Sequence, residues 1–153
     1  MKNLIILTAL VSAFFVTSCT QTSKTVGDEK TPDKLIDSAC YGAAFDKDNA
    51  HMVLKNYASG KVGGTLEVNY EKNPKNTGTL DGKFKGDTLY VDYRFTSGTE
   101  TVHTNPLAFL KKDGKLIMGV GQIETTLGRS YFVKDKPINF EVGKFTFQPA
   151  NCK

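Results

Sequence analysis

The chain is poor in the residues from which most catalytic, metal and nucleic-acid sites are built. Its 153 residues include two histidines, His51 and His103, and three cysteines, Cys19, Cys40 and Cys152. That is too few for a multi-metal centre on His and Cys ligands. Arginine is nearly absent: Arg94 and Arg129 stand among 20 basic residues, so bidentate phosphate recognition by guanidinium groups is scarce. A net charge of +4 is mild and gives no reason to invoke nucleic acid. There is no Gly-x-Ser-x-Gly, no His-Glu-x-x-His and no Gly-x-x-x-x-Gly-Lys. No stretch has the pattern of a long amphipathic helix. These absences lead us to expect a chain that is not an enzyme and that carries neither cofactor nor metal.

What is present begins at the N-terminus. Met1-Lys2-Asn3 carries one positive charge and leads into an apolar run from Leu4 to Val16, broken only by Thr8 and Ser12. The run is shorter than the 18 or so apolar residues of a membrane-spanning helix and reads as a secretory signal over residues 1–18. Val16-Thr17-Ser18-Cys19 then resembles a bacterial lipobox, in which the cysteine is acylated and becomes the first residue of the mature chain. The likeness is loose, because the commonest form has Leu in place of Val16 and Ala or Gly in place of Ser18. It implies a lipid bilayer as partner, held through acyl chains on Cys19; two or more such chains anchor a protein stably where one does not. In the lipoproteins this resembles, an Asp after the cysteine favours the inner membrane. Thr20 therefore favours the outer membrane, and the lack of acidic residues before Asp28 favours its periplasmic face.

Residues 20–37 are polar and without hydrophobic period, and together with Cys19 they read as a flexible tether, 19–37. Eighteen such residues reach roughly 20–25 Å. From there the expected domain, 38–153, is all-β. Leu89, Val91, Tyr93 and Phe95 alternate with polar residues, as do Leu66, Val68 and Tyr70, and Leu80, Gly82 and Phe84. Asp113-Gly114 is a two-residue hairpin signal of type I′, with further turns at Gly86-Asp87, Ser97-Gly98 and 73–78. We expect about eight strands, near 39–46, 50–58, 62–71, 77–84, 88–97, 101–111, 115–124 and 137–147. Their even spacing implies an antiparallel meander closing into a small barrel, lipocalin-like or calycin-like. Segment 124–137 reads as a loop or one short helical turn. Gly119, Gly121 and Gly143 suit bulges or sharp bends within strands, and parity flips from Phe140 and Val142 to Phe145 and Phe147.

With Cys19 acylated, Cys40 and Cys152 remain, one at each end of the domain. In an oxidising periplasm they invite a disulfide; the alternative is one reactive and one buried thiol. The aromatics, among them Tyr70, Tyr93, Phe95, Phe109 and Phe147, either line a cavity for an apolar ligand or fill the core completely. Glu67, Asp81, Asp92 and Arg94 share the polar faces of their strands, which point to solvent unless the barrel is inverted around a polar lumen. His103, beside Glu100, could orient a proton or hold a metal, but such a residue is ordinarily a partly exposed strand histidine.

Cys40-Tyr41, Gly64-Thr65-Leu66, Tyr70-Glu71-Lys72-Asn73, residues 76–82, residues 87–95 and the terminal Cys152 together resemble a group of small uncharacterised lipoproteins of Gram-negative bacteria, over most of residues 40–152. The shared motifs are structural, and the resemblance implies no activity. Its members tend to have Ser-Glu-Gly after the equivalent of Phe95 and an arginine before the next strand, where this chain has Ser97-Gly98 and His103-Thr104. The expected function is a membrane-tethered periplasmic domain that binds a small apolar ligand or an envelope protein. The alternatives are an inhibitor or accessory subunit acting through loops 72–78 and 124–137, and a hydrolase with His103 as its only nominee.

Overall fold

Strict alternation, punctuated by two-residue turns, leaves these segments one economical way to hide their apolar faces: a sheet rolled onto itself. The computed structural model describes residues 32–152. The leader over 1–18, the acylation expected at Cys19 and the tether as far as residue 31 lie outside them. Ten strands follow one another: β1 (Leu35–Phe45), β2 (Asp48–Tyr57), β3 (Lys61–Asn69), β4 (Asn76–Lys85), β5 (Thr88–Ser97), β6 (Val102–Lys112), β7 (Lys115–Met118), β8 (Ile123–Thr126), β9 (Arg129–Phe132) and β10 (Thr146–Pro149). Among the described residues there is no helix. β1 begins three residues inside the stretch read as tether.

Eight of the ten strands form a closed antiparallel barrel in the order β1-β10-β7-β6-β5-β4-β3-β2. Neighbours in sequence pair by hairpins from β1 to β7, and closure comes when β10 inserts between β7 and β1. The all-β, eight-stranded meander barrel expected from the period of two is therefore present. At the β6–β7 turn both Asp113 (φ 50°) and Gly114 (φ 74°) take the left-handed conformation that a type I′ hairpin needs. The inward residues are those the alternation picked out. Met52, Val62, Leu66, Leu89, Phe109, Leu116 and Phe147 are almost wholly shielded from solvent. Phe109 and Phe147 meet edge to face, with ring centroids 5.7 Å apart.

Cys40 and Cys152 lie at disulfide distance (Cα–Cα 5.2 Å), and the Ala150 amide donates to the Cys40 carbonyl at 2.9 Å. The pairing of first and last barrel strands brings them together, at Tyr41↔Pro149 and Gly42↔Gln148.

The C-terminal third departs from the expected elements. The seventh strand stops at Met118 instead of continuing to residue 124, and the last barrel strand is Thr146–Pro149, not 137–147. Between them the chain leaves the barrel and runs along its outer wall. Segment 124–137, expected as a loop or helical turn, holds most of a second β-hairpin, β8–β9, which forms its own two-stranded sheet. The three glycines mark this excursion and are not bulges within barrel strands. A Cβ on Gly119 would meet Ile138 and Phe140, and one on Gly121 would meet Phe132; one on Gly143 would run into the carbonyl of Met118. Gly143 is where the chain returns from the surface to the interior. That is the physical origin of the parity flip: Phe140 packs outside, whereas Phe145 and Phe147 are buried in the core.

Candidate functional site

Two concavities stand out, one inside the barrel and one outside. The inner one is a cup of about 220 Å³, at the end where the β3–β4 loop (70–75) and the β5–β6 loop (98–101) lie. The chain enters the barrel at the other end. There the Asp33 carboxylate accepts from the Ser59 amide at 3.1 Å and from the Ser59 hydroxyl, and the Ala58 amide donates to the Lys34 carbonyl.

Apolar walls of the cup come from Leu66, Val68, Tyr93, Phe95, Met118 and Phe147. The alternatives of a hollow and a filled interior are thus both met: the end near Leu54, Val62 and Leu89 is packed, and the opposite end is open. Tyr93 and Phe95 stack at 4.6 Å with nearly parallel rings, and His103 leans on Phe95 at 5.5 Å. The Tyr93 hydroxyl donates to the Leu66 carbonyl at 2.9 Å, so this buried phenol is satisfied. Burial pushes the Tyr93 phenol well above the ordinary tyrosine range, helped by Tyr70 and Glu67; Tyr70 moves the same way, by burial and then by Asp48.

Two amides supply polarity to the cup, Asn76 and Asn105. Asn76 Nδ2 donates to the Tyr70 hydroxyl at 3.5 Å, while its Oδ1 is buried without a hydrogen-bond partner. A shielded carbonyl oxygen left in that state is costly, and a donor group on a small molecule would relieve it. Neither amide was singled out in the sequence. Asn105 had a signal, since it shares the inward parity of Leu107 and Phe109; Asn76 lay in what read as turn residues.

The outer concavity is a groove of about 640 Å³ between β9 and the wall formed by β4, β5 and β6. Its floor is apolar: Tyr90 meets the edge of Phe132 at 6.5 Å, and Pro106 is buried there. Its rim is charged. Lys61 donates to Asp81 at 2.6 Å, and Arg129 to Asp92 at 2.6 Å. These hydrogen bonds, more than the charges alone, raise the pKa of Lys61 and Arg129. Both pairs are solvent-exposed and contribute little to stability, but they fix where the charges sit.

Asp81 and Asp92 face each other across β4–β5, on the outside of the barrel. Glu67 is also outward and meets Lys75 at 3.3 Å. The inverted barrel with a polar lumen is therefore not what forms. Arg94 is exposed on the wall of β5, away from both concavities. His103 sits exposed near the lip of the cup. Among the described residues no group of three or more His, Cys, Asp or Glu side chains is placed to hold a metal ion. No family model, curated protein or solved structure matches this chain.

Proposed function

We propose that the protein is a non-enzymatic lipoprotein, anchored through acylated Cys19 to the periplasmic face of the outer membrane, whose barrel binds a small apolar ligand in the cup. The observation that carries the binding reading is the buried, unpartnered Oδ1 of Asn76 beside aromatic walls in a cavity of about 220 Å³. That combination suits a compact, largely apolar molecule with one hydrogen-bond donor. Indole is a suitable probe, with one N–H and a flat apolar body. Titrated into the full chain in detergent, it should shift the resonances of Tyr93 and Phe95, and Met118→Trp should abolish the effect by filling the cup. Unchanged spectra, together with native mass spectra free of any bound compound, would remove the ligand. Anchoring has its own test: the intact mass of the processed chain should begin at an acylated Cys19, and an unmodified thiol there would remove the anchor.

A second reading, an accessory subunit or inhibitor of another envelope protein, is favoured by one specific observation. The β8–β9 hairpin stands outside the barrel with Ile123, Leu127 and Tyr131 exposed.

A further inference from the structure

The register of the outer hairpin determines where its peptide groups point. The two-residue turn Leu127-Gly128 is flanked by the pair Thr126↔Arg129, and pairing continues through Thr125↔Ser130, Glu124↔Tyr131 and Ile123↔Phe132. In an antiparallel ladder hydrogen-bonded and non-hydrogen-bonded pairs alternate. The pair next to a two-residue turn is bonded, and the Val133 amide donating to the Gln122 carbonyl at 2.8 Å fixes the same phase. Ser130 and Phe132 therefore fall in non-bonded pairs, and their N–H and C=O groups project from the edge of β9 away from β8. Among the described residues neither takes a backbone partner.

That edge borders the groove. β9, not β8, is the strand that lies against β6, and Ser130 and Phe132 both line the groove. Its opposite wall supplies Lys61 and Lys83, directly across β3–β4 from each other, with Asp81 and Asp92 beside them. Lys61 and Arg129 are each bonded to a carboxylate, whereas Lys83 forms no ion pair among the described residues. The groove thus offers two outward peptide groups at the two-residue repeat of a strand, an apolar floor under them, and one surplus cation.

We propose that the groove captures an extended, acidic peptide segment of a partner protein, which adds as a third strand to β9. The backbone of the peptide bonds to Ser130 and Phe132, one side chain rests on Tyr90 and Pro106, and an Asp or Glu meets Lys83. The four residues of β9 span about 13 Å, so four to six peptide residues fill the edge. This deepens the partner-binding reading by giving the partner's chemistry, and it stands or falls separately from the cup.

The test is selection from a displayed library of random linear peptides of about eight residues on the full chain in detergent. Enriched peptides should alternate apolar and polar residues and carry an acidic one. Their binding should slow hydrogen exchange at the Ser130 and Phe132 amides. Ser130→Pro, which deletes one outward N–H and leaves the backbone bonds to β8 intact while removing the hydroxyl contact with Thr125 that Thr125→Pro also removes, should weaken them about fivefold, the size of one net backbone hydrogen bond. Thr125→Pro makes the same change on the far edge of β8 and should leave binding unaltered, and Lys83→Glu should weaken acidic peptides selectively. The proposal is overturned if Ser130→Pro binds normally, if Thr125→Pro loses binding equally, if neutral and acidic peptides respond alike to Lys83→Glu, or if only glycans or anionic vesicles occupy the groove.

Discussion

Leu127 occupies the tip of the outer hairpin with φ 51° and its side chain entirely in solvent. For an L-residue with a bulky side chain this left-handed conformation costs about 1–2 kcal/mol, and no burial offsets it. Leu127→Asn should therefore raise the unfolding free energy by about 1 kcal/mol, seen as a higher urea midpoint at unchanged slope. A drop would mean that the leucine makes a stabilising contact. Tyr93 presents the opposite situation, a polar group hidden and paired. It and the less buried Tyr70 and Tyr41 hold their protons above the ordinary value of about 10, burial being the largest cause in each. The unfolded chain releases those protons first, so their contribution is complete below about pH 10 and is lost as pH rises through and beyond it. Urea midpoints should fall from about pH 9.5 upward, and less steeply in Tyr93→Phe. Equal slopes would place the alkaline loss elsewhere.

At the level of elements, the strands that could be read from the sequence are those with one face in the core and one in water. β2, β4 and β5 follow a clean period of two, and a single hydrophobic face sets their register, whereas β6 buries Pro106 and Ala108 on its outer side as well as Phe109 on its inner one. Past Leu116 the pattern no longer reports on one core. Ile138 and Phe140 are apolar because they cover the outside of the barrel, and Phe145 and Phe147 because they fill the inside. A linear reading joins the two sets into one strand. The β8–β9 hairpin was hidden for a related reason: its strand residues are exposed or half-buried, so it has little hydrophobic alternation to betray it. Its turn, Leu127-Gly128, lacks the Asn or Asp that announces such a bend. The cup was legible only as a choice between filling and lining, since aromatic side chains show their faces but not the space between them. These assignments make a contrast that calorimetry can check. Phe147→Ala should cost about 3–5 kcal/mol as a core truncation, and Phe140→Ala on the outer wall about 1 kcal/mol.

For the whole molecule, the seam of the barrel is narrow. β10 meets β1 through two residue pairs and β7 through two more, while β1 meets β2 along nearly its full length. The Cys40–Cys152 bond lies beside that weak seam and closes a separation of 112 residues. Reduction, or Cys40→Ala with Cys152→Ala, should lower stability by about 2–5 kcal/mol and first expose the amides of β10 to exchange. Equal protection of β10 in both forms would show that the seam holds unaided.

That crosslink also decides how the protein bears tension. Apart from the residues before Cys40, the described domain lies within one covalent ring. A pull at Pro32, against something gripping the barrel wall, peels Leu35–Ala39 away from β2 before it reaches Cys40. Beyond that point the load divides between the Tyr41 backbone and, through sulfur, Cys152, so that β1 and β10 bear it together.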